Sequence, residues 1–365
     1  MKRNVFTVIV FAVFLYGVSA LCIFGPKDDY SVSERRALAK MPEFSMNTLL
    51  SGEFASGFEK YATDAFPARD AMRSVKALFA TRFFGKKDNN GLFTADGHLS
   101  KIDSPVDYNM LSIAADKFKS IVEKYVKDKS TSLYFTIVPD KNMYLASKNG
   151  YPAMDYEDLI STMRGKTEFM EYIDITGLLN EDYYYFTDTH WRQEMLIPVA
   201  EHIANAMGQD VSAEYDVNTL DIPFNGVYVG QYAMEASPDT IRYLTNDTLN
   251  NAIVTYYDTG MPKKGDMYNM EKAKGHDAYE MFLSGAMPIV SIENPDAENK
   301  KELILFRDSF GSSIAPLFAE GYSKVTLVDI RYVASGMIGG FLNTQNADVL
   351  FMYSSSLLNN STALR

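Results

Sequence analysis

The first apolar run is the longest in the chain. Val5 to Phe24 holds twenty residues without a charge, with only Thr7 and Ser19 clearly polar, and Lys2 and Arg3 precede it. At about 1.5 Å per residue this length spans the ~30 Å hydrocarbon core of a bilayer. The basic residues hold their end inside, so the rest of the chain is exported. Val18-Ser19-Ala20 also fits a signal-peptidase site, so residues 1–27 read as a membrane anchor or as a signal peptide. The length of the run favours the anchor. Leu21 is too large for the position before a lipoprotein cysteine, which excludes that role for Cys22.

After the apolar run, the pattern shortens. Lys27 to Met46 is charged and proline-flanked, as in a stalk. Phe58, Tyr61, Ala62 and Phe66, then Val75, Leu78, Phe79 and Phe83, have the spacing of amphipathic helices interrupted at Pro67. Asn89-Asn90-Gly91 and Asp96-Gly97 bracket a hairpin. Leu111, Ala114, Phe118, Ile121 and Val122 form one face of a helix over Tyr108 to Lys127, which leads into a buried strand at Leu133 to Val138. The last third alternates, with strands at 303–306, 324–329 and 348–353, a helix around 313–320 and a helical or loop stretch over 332–342. Such alternation implies a parallel sheet with right-handed crossovers, hence an α/β fold. Gln209 to Lys300 is rich in Asn, Asp, Gly and Tyr and reads as an insertion of mixed strand and loop over the site. Three regions follow: residues 1–27, a stalk and helical region over 28–105, and an α/β domain over 106–365 with the insertion at about 209–300.

Composition narrows the function. A net charge of −12 argues against nucleic acid, whose phosphates require a basic patch. Cys22 is the only cysteine, so the exported body has neither disulfide nor thiol nucleophile. No phosphate-binding or dinucleotide fingerprint and no zinc-ligand spacing occurs. No cofactor and no metal are expected.

The candidate chemistry lies in two polar knots, Thr187-Asp188-Thr189-His190-Trp191 and Arg307-Asp308-Ser309-Phe310. In an extended segment Asp188 and His190 project to the same side, so the carboxylate can orient the imidazole. Of four histidines, at 98, 190, 202 and 276, only His190 has a carboxylate at that spacing and a tryptophan beside it. Ser309 follows the apolar run Leu303 to Phe306 and precedes a helix start, which exposes a hydroxyl above a sheet edge. Orienter, base and nucleophile are the parts of a serine acyl-transfer site. Asp308 points away from its neighbour and is assigned to capping or fixing the turn.

These motifs resemble the DHHW family of bacterial cell-surface proteins and, more widely, the SGNH-hydrolase-like periplasmic alginate O-acetylation proteins. The matching landmarks run through most of the chain: the membrane segment, Ser33 to Arg36 with Pro42, Tyr61 to Arg69, and Ile137 to Lys141. Then come Asp188 to Trp191, Asp277 to Gly285, Asp308 to Phe310 with Pro316, and Asp329 to Arg331. Two positions depart from the pattern. Thr189 stands where the family usually has His, and Arg307 replaces the Gly of the wider superfamily.

The resemblance implies a three-layer SGNH-hydrolase-like parallel sheet in circularly permuted order, since Asp188 and His190 precede Ser309. It implies an extracytoplasmic serine acyltransferase or esterase that O-acetylates or de-acetylates a polysaccharide, with a membrane-bound O-acyltransferase as acyl donor. The alternative is a non-catalytic polysaccharide-binding or scaffold protein on the same fold. Arg331 reads as an oxyanion donor or as a salt-bridge partner of Asp329. Trp191 reads as a floor for a sugar ring or as core, and so do the aromatics from Tyr183 to Phe186. Lys141 and Tyr144, after Pro139, reach the cleft or lie in a solvated loop.

Overall fold

The computed structural model describes residues 2–126, 131–258 and 261–365. Lys127, the expected end of a helix, lies outside them. The chain divides into two units: Met1–Asn90 with Val229–Glu235, and Gly91–Tyr228 with Ala236–Arg365.

In the first unit, helix α1 (Lys2–Phe24) is long and apolar enough to cross a membrane. The stretch read as a stalk is folded. Tyr30–Ser31 pairs antiparallel with Arg36–Ala37, and the Arg36 guanidinium forks onto the Asp64 carboxylate at 2.7 and 2.8 Å. The backbone N–H of Ala39 donates to the same carboxylate. Arg36 holds Asp64 down at about 2, below the usual carboxylate range. Asp64 ends helix α2 (Glu53–Asp64), and helix α3 (Arg69–Leu78) continues through a π turn at Phe79–Phe83. The break between α2 and α3 spans Pro67, where a helix loses a donor, and Ala68 takes a left-handed φ of 53°.

The second unit is built on an eight-stranded mixed sheet. Its strands are β1 (Ser132–Val138), β2 (Glu171–Tyr172), β3 (Ile253–Tyr256), β4 (Lys263–Gly265), β5 (Ile289–Glu293), β6 (Glu302–Arg307), β7 (Lys324–Val328) and β8 (Ala347–Ser354), in the order β4-β3-β5-β7-β6-β8-β1-β2. The run β7-β6-β8-β1-β2 is parallel, and β5, β3 and β4 add to it antiparallel. Alternate residues enter two different cores, as a pleated strand buried on both faces requires. Leu303, Leu305, Leu350 and Met352 pack with helix α6 (Ile197–Ala206). Ile304, Phe306, Val349 and Phe351 pack with helices α4 (Tyr108–Tyr125) and α5 (Tyr156–Lys166). The result is an α/β fold with flanking helices.

Two sequence expectations change. The helix expected around 313–320 is α-helical only over Gly311–Ile314 and then tightens to a 3₁₀ helix over Ala315–Glu320, because Pro316 supplies no N–H. The insertion does not simply roof the site. Val254 and Tyr256 of β3 and Val290 and Ile292 of β5 turn into the main core, so this part of it widens the sheet. Its remainder includes the hairpin of Asp216–Phe224 and Asp239–Thr245 and the turn Ala278–Met281. These pack with Tyr185 in a separate cluster. The hairpin Leu92–Ala95 and His98–Lys101 forms where the turn residues place it.

Candidate active site

Parallel strands end on one edge of a sheet, and loops leaving their carboxyl ends converge there. Asp140-Lys141 follows β1, Asp308-Ser309 follows β6, Asp329 to Arg331 follows β7, and Ser355 follows β8. At the end of β6 the Asp308 carboxylate accepts the Phe310 N–H at 3.0 Å and the Ser354 N–H at 2.8 Å. It therefore fixes the turn and ties it to β8. Ser309 is left partly exposed between buried neighbours.

Arg307 is not in the left-handed region, so this turn does not need a glycine at that position. Its side chain is buried and lies across Gly311, where an added Cβ would come within 2.6 Å of the Arg307 Cβ. Close approach is what requires Gly at 311. Arg307 Nη1 donates to the Asp308 carbonyl at 3.2 Å and reaches Asp329 Oδ2 at 3.4 Å. Burial pushes the guanidinium pKa down, with Asp329 opposing.

The second knot is a bend rather than an extended segment. Asp188 Oδ1 accepts both the backbone N–H of His190 at 3.0 Å and its ring Nδ1 at 2.6 Å. An Asx-type turn thus brings the pair together, in place of same-side projection along a strand. Asp188 Oδ2 accepts the Val227 N–H at 2.8 Å. On the other side of the ring, His190 Nε2 lies 2.8 Å from Ser309 Oγ. Asp188, His190 and Ser309 form one continuous chain of hydrogen bonds.

Residues outside the two polar knots hold this chain in place. Asp239 accepts the N–H groups of Phe186 and Thr187, both at 2.7 Å, and the Thr187 hydroxyl. Thr187 Oγ1 in turn accepts the Gly226 N–H at 2.9 Å. Gly226 passes so close that an added Cβ would lie 2.3 Å from the Thr187 carbonyl and 2.5 Å from Asp188 Cβ. Tyr279 stacks on the His190 ring and shares a hydrogen bond with Ser313 Oγ at 2.9 Å. Asp239, Gly226 and Tyr279 all lie in the 209–300 stretch. Only Tyr279 lay in a recognisable motif.

Burial decides between the alternatives for Trp191, Tyr184, Tyr185 and Lys141. Trp191 has no exposed surface. Its indole N–H donates toward the Phe310 carbonyl and Ser313 Oγ at 3.0 and 2.9 Å, and its ring meets Phe310 edge-on. It supports the helix after Ser309 and offers no face to a sugar. Tyr184 and Tyr185 are equally buried, so no sugar platform exists there, while Phe186 is exposed. Lys141 lies neither in a solvated loop nor at the cleft surface. It is 1% exposed, and its ammonium donates to the carbonyls of Tyr185 and Phe186 at 2.8 and 3.1 Å. Burial lowers its pKa to about 7, against the attraction of Asp188, Asp239 and Asp140. Tyr144 donates to the Thr176 carbonyl and packs against Tyr184, which makes it a core prop.

Arg331 forms the ion pair with Asp329, Nε to Oδ1 at 2.9 Å and Nη2 to Oδ2 at 2.6 Å. The fork leaves Nη1 outside it, and the side chain keeps partial exposure. Thr189 shares a hydrogen bond with the Tyr228 hydroxyl. Among the described residues, no group of three or more His, Cys, Asp or Glu side chains is placed to hold a metal ion.

No protein-family model matches the chain, and no curated protein does. Solved structures do. A DHHW family protein from Eubacterium siraeum aligns with 22% identity and a TM-score of 0.61, over 76% of this chain and 97% of that one. PatB1 from Bacillus cereus aligns at 20% identity, and at 21% in a form carrying a sulfonyl adduct. Both forms have a TM-score of 0.59 and cover 73% of this chain, with 95% of the adduct-bearing chain and 96% of the other. At such identities the likeness is one of fold: this chain shares the α/β architecture of the DHHW protein and of PatB1.

Proposed function

We propose that this protein is an extracytoplasmic serine acyltransferase or esterase acting on a polysaccharide, held to the membrane by α1. The observation that carries the reading is the chain from Asp188 through His190 to Ser309, with links of 2.6 and 2.8 Å. Both links fall within hydrogen-bond reach of a working base and nucleophile.

In this reading His190 Nε2 takes the Ser309 proton as Oγ attacks an acyl carbonyl. Asp188 fixes the tautomer with the proton on Nδ1 and stabilises the imidazolium that forms. His190 then returns the proton to the leaving alcohol, and an acyl group remains on Ser309. A sugar hydroxyl in transfer, or water in hydrolysis, is deprotonated by the same imidazole and attacks the acyl carbon; the Ser309 ester bond breaks and His190 returns the proton to Oγ. The negative oxygen of each tetrahedral intermediate needs donors. We assign this to the Ser309 N–H at the strand-to-helix turn and to Nη1 of Arg331.

Chain order supports a circularly permuted SGNH-type arrangement, with the acid and base before the nucleophile. The sulfonyl adduct of PatB1 is of a kind that nucleophilic hydroxyls form, and it belongs to a protein of the same fold. An acyl group delivered outside the cell implies a membrane-bound O-acyltransferase as the source. Turnover of a small acetyl ester by the full-length protein tests the reading. Wild type releases product, while Ser309→Ala and His190→Ala each lose nearly all of it, and the double variant is scarcely slower than either. Full turnover by folded Ser309→Ala would place the nucleophile elsewhere.

A further inference from the structure

Helix α3 and its π turn carry their apolar stripe on the outside. Met72, Val75, Leu78, Phe79 and Phe83 recur at helical spacing, and all five are exposed, Phe83 at 74%. Phe84 adds a ring 5.2 Å from that of Phe83. The opposite side is the one that packs. Ala77 is buried, Arg73 Nη2 donates to the Gly230 carbonyl at 2.8 Å, and Thr81 approaches the Met234 sulfur at 3.6 Å. A surface helix normally shows the reverse arrangement.

The charge of this stretch is also inverted relative to the chain. Residues 69–87 hold six Lys or Arg and one carboxylate, Asp70, in a protein of net charge −12. Arg69 and Arg73 are engaged by Glu34. Lys76, Arg82, Lys86 and Lys87 flank the stripe and are exposed. An apolar stripe rimmed by cations is the pattern of a helix lying in the plane of a membrane interface. Anionic lipid attracts such a rim. The same unit begins with α1, which ends at Phe24.

We infer that the segment Arg69–Lys87 is an interfacial membrane helix, its rings of Phe79, Phe83 and Phe84 in the headgroup boundary and its cations on anionic lipid headgroups. It rests on the membrane placement proposed above but not on the chemistry at Ser309. It gives the anchored unit a second, electrostatically tuned hold on the bilayer.

Site-directed spin labelling tests this on the full-length chain, which has Cys22 as its only native thiol. A label on native Cys22 reports whether α1 is inserted. Labels at Val75→Cys and Phe83→Cys, each with Cys22→Ser, report the segment, and Glu298→Cys gives a water-exposed reference. The protein is reconstituted into vesicles of equal phosphatidylglycerol and phosphatidylcholine. Labels at 75 and 83 should then favour oxygen over a water-soluble nickel chelate, relative to 298. Phosphatidylcholine alone, or Arg82→Glu with Lys86→Glu, should shift position 83 back toward the reference. Reference-like accessibility at 75 and 83 while the Cys22 label is inserted would overturn the inference. So would spin–spin broadening at 83 without added oxygen exposure, which would identify a second copy as the occupant. Chelate access at Cys22 would instead overturn the anchor.

Discussion

The imidazole of His190 lies flat against the ring of Tyr279, with centroids 3.9 Å apart and planes 8° from parallel. Tyr279 thereby closes one face of the proposed base, while Asp188 and Ser309 occupy its two nitrogens. An aromatic pair of this kind contributes about 0.5–1.5 kcal/mol beyond burial. Tyr279→Leu should therefore lower kcat/KM for a small ester roughly tenfold, by loosening the ring. Tyr279→Phe keeps the stack and loses the hydroxyl's bond to Ser313 Oγ and its longer one, at 3.4 Å, to the Ser309 carbonyl, so it should stay close to wild type. Steady-state kinetics on the two variants separates the stack from the hydroxyl.

Gly226 is one of the points where the 209–300 stretch touches the bend at Asp188. A methyl group there would meet the Thr187 carbonyl at 2.3 Å and Asp188 Cβ at 2.5 Å, and backbone cannot swing aside as a flexible side chain does. Gly226→Ala should cost about 1–3 kcal/mol of stability and pull the Val227 N–H away from Asp188. Thermal melting and ester turnover should fall together in this variant. An unchanged melting temperature with full turnover would show that the approach is not tight.

Lys141 gives a pH signature with a definite sign. In the fold its pKa is about 7, against 10.5 for the ordinary side chain. Between those values the unfolded chain binds the proton that the folded chain has released, so stability rises with pH across this window. Above 10.5 the contribution is complete; as pH falls through about 7 it is lost. Lys141→Met removes this part of the slope, although it also leaves the carbonyls of Tyr185 and Phe186 without their donor. Denaturant midpoints measured for both proteins from about pH 7 to 10 should show the wild-type curve climbing more steeply.

The sequence made the sheet legible where strands are apolar throughout, as from Leu303 to Phe306, and placed Ser309 just past such a strand. Asp188 and His190 were legible by spacing, although the geometry that unites them is a bend stabilised by the carboxylate itself. What the sequence hid were contacts between distant segments. Asp239 and Gly226 carry no local signal, since each acts on Thr187 from more than thirty residues away. Trp191 and Lys141 looked functional because their residue types are useful in a cleft. Trp191 is buried against Phe310 and Ser313 and Lys141 against the carbonyls of Tyr185 and Phe186, and these are contacts between distant segments that neighbouring residues alone do not fix.

Covalent capture at Ser309 tests most directly whether this hydroxyl is a nucleophile activated by His190. The full-length protein is treated with a fluorophosphonate, digested and mapped by mass spectrometry. One adduct is expected, on Ser309, and it should form far more slowly in His190→Ala and somewhat more slowly in Asp188→Ala. A folded protein that takes no label at Ser309, or labels as fast without His190, would contradict this reading.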